Sequence, residues 1–386
     1  MKRKLRVAVL GATGVAGQQF LAALAAHPFF EVTCLAASAR TAGRPYAEAL
    51  RDKSGSLGWY AGGAPPPALL ALPVREAASL DAARLRDEVE VVFSALESDA
   101  AHELEPRLAA ELPVFSTASA YRYAADVPIL MPGVNPEHVE LLRTQQEQRG
   151  WRGFIAPGPN CTTVGLAMTL RPLADRFGLA RVIMTSLQAV SGAGRSPGVS
   201  ALDILDNVVP YIPSEEEKVE RETRKILGRY LPGSPAQPAQ PAQPARPARI
   251  EPLPLPLSCT CTRVAVLDGH TEAVFCGTER PAPLDEVKEA LMSFGAELQG
   301  LGLPSLPERL VTVLDDPYRP QPRLDRDTGG GMTTVVGRLR PETALGPHGV
   351  KFVLLSHNTK MGAAAGSILT AEYLLKTGFF AGTFPS

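Results

Sequence analysis

Cys161 stands in the stretch APGPNCTT, directly before the apolar run VGLAMTLRPL. Pro159 and Asn160 mark a turn, and the run after it reads as a helix from about Thr162 to Leu170, which places the sulfur at a helix N-terminus. Unpaired N–H groups there stabilise a thiolate. Together with the Asn160 amide they could also hold an oxyanion on whatever the thiolate attacks. Packing is the competing reading for any single thiol. The other four cysteines, Cys34, Cys259, Cys261 and Cys276, lack this turn, and Cys259 and Cys261 share one face of a strand-like run, as packing residues do. No Cys-x-x-Cys spacing occurs, so neither a disulfide framework nor a metal-ligand set is expected.

A thiol nucleophile needs an acid and base. Of the six histidines, His270 is best placed, because it follows the strand-like TRVAVL and the turn Asp268-Gly269, where a side chain can be aimed into a cleft. Arg263 precedes it by an odd number of residues, so the two converge only if that turn resets the strand alternation. The stretch IPSEEEKVERETRKILGRYL has Val219, Thr223, Ile226 and Tyr230 at helical spacing, with Ser214 and Glu217 as a capping box. Glu215 and Lys218, one turn apart, either join its solvated face or reach an ammonium and a phosphate.

Gly11, Gly14 and Gly17 follow the apolar strand RVAVL and open an amphipathic stretch from Val15 to Ala26. Such a turn, Gly11, Ala12, Thr13, Gly14 and Val15, lets backbone approach a pyrophosphate at the helix N-terminus. Its G-x-x-G-x-x-G spacing is one residue looser than the dinucleotide fingerprint. The second strand ends in AASARTAGR, with Ser38, Arg40 and Arg44 and no acid. A carboxylate would repel a ribose 2′-phosphate, whereas a hydroxyl and a guanidinium would hold it, so the expected cofactor is NADP. A cysteine nucleophile beside a nicotinamide points to oxidation or reduction at the aldehyde level through a thioester.

These residues require two kinds of element around them. RVAVLGA, FEVTCLAAS and VEVVFSAL alternate with helical patterns and indicate a parallel sheet covered by helices. From about Asn135 longer strand candidates appear, RVIMTSLQAV, SCTCTRVAVLDGH and TTVVGRLRP, as in a second domain with a mixed or antiparallel sheet. Two domains also suit a chain of 386 residues. Between them SPAQPAQPAQPARPARIEPLPLPL is expected to be an extended, solvated loop. The formal charge of -1 offers no excess to attract nucleic acid or an anionic membrane, and no apolar run is long enough for a membrane span. A cytoplasmic protein is expected.

Taken together, GATGVAGQQF, AASARTAGRPY, PNCTTVGLAMTLRPL, QAVSGAGRSPGVSALDILDNVVPYI, EEEKVERETRKILG, RVAVLDGHTEAV, RPQPRLDRDTGGGM and LLSHNT resemble the aspartate-semialdehyde dehydrogenase family, in its archaeal and fungal branch. The resemblance covers nearly the whole chain. It implies an α/β protein with a Rossmann-type NADP-binding domain (residues 1–134 and 357–386) and an α+β catalytic and dimerisation domain (135–356) with a mixed sheet. The Pro-rich insertion falls at about 232–257, and a homodimer or homotetramer is implied.

By the same resemblance, NADPH reduces 4-phospho-L-aspartate to L-aspartate 4-semialdehyde, on the route to lysine, threonine and methionine. Cys161 would form the thioester and His270 would shuttle the proton. Arg263 would grip the substrate carboxylate and Glu215 its ammonium, with Lys218 and Arg122 on the phosphate. Gln188, Ser191, Gly192 and Asn358 would line the nicotinamide and catalytic pocket, and Ser94 would touch the cofactor. Gly158, SALES and Lys360-Met361 depart from the family pattern. A malonyl-CoA reductase or an N-acetyl-glutamyl-phosphate reductase would share most of this apparatus, though a Glu215 and Arg263 pair reading both ends of an amino acid disfavours the second.

Overall fold

The computed structural model describes residues 3–194, 198–234 and 247–379. Its first part alternates short apolar strands with helices. Strands β1 (Leu5–Leu10), β2 (Phe30–Ala37), β3 (Val74–Glu76), β4 (Val91–Ser94), β5 (Pro113–Ser116) and β6 (Phe154–Pro157) form a parallel sheet in the order β3-β2-β1-β4-β5-β6. Both faces are covered, Phe20, Phe93 and Phe115 filling one and Leu85, Leu108 and Val114 the other. Burial on both sides is why β4 and β5 carry so little polar alternation. The strand order reverses beside β1, which opens a crevice at the carboxyl ends of β1 and β4 where such sheets take nucleotides.

The expected boundary at Asn135 is displaced. β6 pairs with β5, and the helix Glu140–Arg149 packs beside it, so the first sheet draws on the chain as far as Pro157. A strand of only four residues, buried throughout, has no periodicity to announce it. The chain returns at its end, where the helix Ala365–Lys376 packs on the helix Val15–Leu24 and on β5.

The second part holds β7 (Leu179–Gln188), a small antiparallel ribbon of β8 (Arg229–Leu231) and β9 (Arg249–Glu251), then β10 (Leu257–Arg263), β11 (His270–Thr278), β12 (Val311–Leu314), β13 (Thr334–Pro341) and β14 (Gly349–Ser356). Its mixed sheet runs β10-β7-β11-β14-β13-β12. The helices Cys161–Phe177 and Glu215–Ile226 cover the inner face, over Met184, Cys259, Cys261, Val274 and Phe352. Glu216 and Glu220 accept the backbone N–H groups of Cys261 and Cys259, at 2.9 and 3.1 Å, which blunts the sheet edge at β10.

Three local expectations change. The Cys161 helix continues past Leu170 and through Pro172 to Phe177, held by the buried Leu170, Leu173 and Phe177. Ser214 has φ 58° and makes no side-chain cap, so the Glu215 helix begins without the expected capping box, and Tyr230 lies in β8. The stretch 232–257 is not without structure, since β9 lies in it around the buried Ile250; residues 235–246, which hold most of the triplets, lie outside the described residues.

Candidate active site

The Cys161 helix starts from a turn that follows β6. Asn160 caps it, its Oδ1 accepting from the Thr162 N–H at 2.7 Å, and Cys161 is the first helical residue. The other polar groups of Asn160 go to the Glu215 helix: Nδ2 donates to Glu215 at 3.0 Å and the backbone N–H to Glu222 at 2.6 Å. The Asn160 amide thus positions Cys161 through Oδ1 and spends one Nδ2 hydrogen on Glu215, while the residue also lines the pocket at the sulfur. Gly158 fits because a Cβ there would already stand 3.3 Å from Ser367 Oγ on the C-terminal helix.

His270 opens β11 and faces the sulfur, with Nε2 3.3 Å from Cys161 Sγ. Arg263 ends β10. The two strands flank β7 on opposite sides, so Arg263 and His270 converge across the end of β7 and no resetting of strand alternation is involved. Arg263 donates through Nη1 to the Ala189 carbonyl at 2.9 Å, and Ala189 donates its N–H to His270 Nδ1 at 3.0 Å.

The electrostatics differ from the expected resting thiolate. Burial, reinforced by the Glu215 carboxylate, pushes the Cys161 thiol up to about 12 against the pull of Arg122, Arg263 and its own backbone N–H. Burial, with Arg263 and His357 adding to it, pushes His270 down to about 3. Both shifts favour the uncharged thiol and imidazole over the ion pair.

The sulfur opens onto a pocket whose lining includes Asn160, Gln188, Gly192, Glu215, Lys218 and Arg263. Glu215 accepts from Asn160, from Thr162 Oγ1 at 3.3 Å and from Gln188 Nε2 at 3.3 Å, so its carboxylate is fixed at the wall. Lys218 is half-buried one turn on. Besides the exposed Asp203, the pocket thereby presents two cations and the buried Glu215 carboxylate around the thiol, which suits a small zwitterion carrying a further anion.

Arg122 is not brought to this lining. It is buried, paired with Glu222 at 3.0 Å, and donates to the carbonyls of Gly158 and Thr117, both at 2.8 Å. Glu222 escaped the sequence reading, as did Lys225, whose ammonium donates to the carbonyls of Arg122, Ala124 and Val127 at 2.6–3.1 Å. The signal was present, since residues 215, 218, 222 and 225 lie along one helix face.

On the nucleotide side, Gly11 has φ 72°, and a Cβ there would strike the Ala95 carbonyl at 2.3 Å. The turn is braced by Tyr46 OH donating to the Ala12 carbonyl at 2.8 Å and Gln18 to that of Thr13 at 3.1 Å. Gly14 caps the helix that starts at Val15 and supplies no side chain to its N–H groups, so the donors stay open to a phosphate. Ser38 and Arg40 lie exposed just after β2, and Ser94 lies buried at the end of β4. Asn358 joins two loops, donating to Ser191 Oγ at 2.8 Å and accepting from the Gly269 N–H at 2.9 Å. The glycine turn, Ser38 and Ser94 thus lie at the carboxyl ends of β1, β2 and β4, where such sheets take nucleotides.

Fold and site together define a class of nucleotide-binding enzyme with a cysteine and a histidine paired in a cleft. Residues 6–142 match the family described as semialdehyde dehydrogenase, NAD binding domain, and residues 170–361 match semialdehyde dehydrogenase, dimerisation domain. The aspartate-semialdehyde dehydrogenase of Methanothermobacter thermautotrophicus is 44% identical over 96% of this chain and 99% of its own. That of Candida albicans is 41% identical over 96% and 97%. A crystal structure of the Candida albicans enzyme with NADP superposes with a TM-score of 0.81 at 39% identity, covering 97% of this chain and 99% of that one. The chain belongs to the aspartate-semialdehyde dehydrogenase family, and its relatives include archaeal and fungal members. Among the described residues no helix is long and apolar enough to cross a membrane.

Proposed function

We propose that this chain reduces 4-phospho-L-aspartate to L-aspartate 4-semialdehyde and phosphate with NADPH. The observation that carries this reading is the pocket at Cys161, where Arg263, Glu215 and Lys218 surround the sulfur and His270 backs it. Arg263 keeps guanidinium donors for the substrate carboxylate, Glu215 takes the ammonium, and Lys218 takes the phosphate. Arg122 acts behind the wall, holding the Gly158 carbonyl and Glu222.

Cys161 gives its thiol proton to His270 as the sulfur attacks the acyl carbon, the carbon–oxygen bond to phosphate breaks, phosphate leaves, and a thioester remains. NADPH supplies the hydride that reduces this thioester. His270, beside the sulfur, exchanges the proton as Cys161 is freed and the aldehyde leaves. Gly11, Ala12, Thr13, Gly14 and Val15 hold the pyrophosphate, Ser38 and Arg40 the ribose 2′-phosphate, and Ser94, Ser191, Gly192 and Asn358 the remainder of the cofactor.

Oligomerisation follows from the matched dimerisation domain. A dimer through the outer face of the second sheet is supported by Ile183 and Leu187, which are 44% and 40% exposed there. A cytoplasmic location is the companion reading.

The decisive experiment follows NADPH formation from L-aspartate 4-semialdehyde with and without phosphate. A phosphate-dependent signal is expected, and its absence overturns the reading.

A further inference from the structure

The turn from Ala189 to Gly192 wraps both residues that flank the reacting sulfur. Ala189 has φ −67° and ψ 149°, an extended conformation in which its N–H and C=O point to one side. The N–H meets His270 Nδ1 at 3.0 Å and the carbonyl meets Arg263 Nη1 at 2.9 Å. At the other end of the turn, a Cβ on Gly192 would stand 3.0 Å from Arg263 Nη1 and 3.2 Å from His270 Cε1. The turn is fastened by the Val190 N–H to the Val266 carbonyl at 2.8 Å and by Asn358 to Ser191 Oγ at 2.8 Å.

A backbone N–H is always a donor, so the ring nitrogen facing it has to be an unprotonated acceptor. The proton of the neutral ring then sits on Nε2, 3.3 Å from Cys161 Sγ. For Nε2 to receive the thiol proton, the ring must instead carry its own proton on Nδ1. Two donors would then oppose each other at the Ala189 contact.

We propose that the Ala189 backbone is a positioning element that sets His270 as an Nε2–H donor toward the sulfur, and that His270 takes the Cys161 proton only when the Ala189–Gly192 turn withdraws. In that step the ring's own proton passes from Nε2 to Nδ1 through solvent once the Ala189 N–H has withdrawn, the S–H bond breaks and the thiol proton bonds to the vacated Nε2, leaving a thiolate beside an imidazolium. The turn is held by Arg263 and Asn358, the groups assigned above to the substrate carboxylate and the nicotinamide side, so ligands there are placed to release it. This last link rests on the proposed function; the tautomer itself does not. The titratable groups nearest the ring are Cys161 on its helix, Arg263 at the end of β10 and His357 after β14.

The test is proton–nitrogen correlation NMR on the full chain with nitrogen-15-labelled histidine, without substrate or nucleotide, His270→Asn supplying the assignment. His270 is expected in the Nε2–H form, without titration from about pH 5 to pH 9. An Nδ1–H form, or an imidazolium forming near the usual histidine value, overturns the proposal. Gly192→Ala, which pushes the turn off the ring without changing charge, is expected to abolish the fixed tautomer. Retention of the wild-type signal in that variant overturns the role of the turn. Neither readout depends on turnover, so failure here is distinct from failure of the phosphate-dependent assay.

Discussion

His270 Nε2 stands 3.3 Å from Cys161 Sγ across 109 residues of sequence, because β11 begins beside the end of β7 and the Cys161 helix packs against both strands. The contact joins a thiol pushed up by burial to an imidazole pushed down by it. Iodoacetamide alkylation of Cys161 in the free protein should therefore keep accelerating above about pH 9 without a plateau near neutrality. A plateau below about pH 8 would show a resting thiolate. Cys161→Ala should abolish turnover with NADP binding retained, and His270→Asn should slow turnover by about 100-fold or more.

Glu222 bears on stability as well as geometry. Removing its side chain leaves the buried Arg122 guanidinium without its counter-charge and the Asn160 N–H without its acceptor. Glu222→Ala should cost about 3–5 kcal/mol in denaturant unfolding. Replacing both partners, Arg122→Met with Glu222→Met, should recover the part due to the unpaired charge, the Asn160 N–H still lacking its acceptor; a double variant no better than the single one would contradict the buried-pair account.

Arg40 tests the nucleotide preference. It is exposed at the end of β2, beside Ser38 and without a neighbouring acid in AASARTAGR. Arg40→Glu should weaken NADP binding by at least about tenfold and alter NAD binding much less. Calorimetric titration of both nucleotides reads the difference, and equal losses would remove Arg40 from the 2′-phosphate.

Glu105 supplies a pH signature away from the cysteine. It is buried and accepts from Ser116 Oγ at 2.5 Å, and burial raises it from 4.5 to about 7. A raised acid binds its proton more tightly in the folded state than in the unfolded chain. Its contribution is complete below pH 4.5 and is lost as pH rises through about 7. Glu105→Gln should therefore gain up to about 3 kcal/mol relative to the parent between acid pH and about pH 8. A pH-independent difference in unfolding free energy would show that Glu105 is not held protonated.

Much of the site was legible where its cause is local. The glycine turn, the missing acid after β2 and the cysteine at a helix start all depend on a few neighbouring residues, and each stands where the sequence pattern puts it. The four-residue β6 and the uncapped start of the Glu215 helix were not legible, because burial from all sides and a left-handed Ser214 leave no periodic or capping signal.

By itself the sequence determined the two kinds of sheet, the glycine turn and the placing of Cys161 at a helix start, since turn chemistry and hydrophobic period act over short spans. Only the tertiary structure decided that Arg263 and His270 meet across β7, that Ala189 bonds to both, and that Arg122 is spent on Glu222 behind the pocket. Those outcomes follow from which strand lies between which and from which buried charge finds a partner, and neither is encoded in the spacing of residues along the chain.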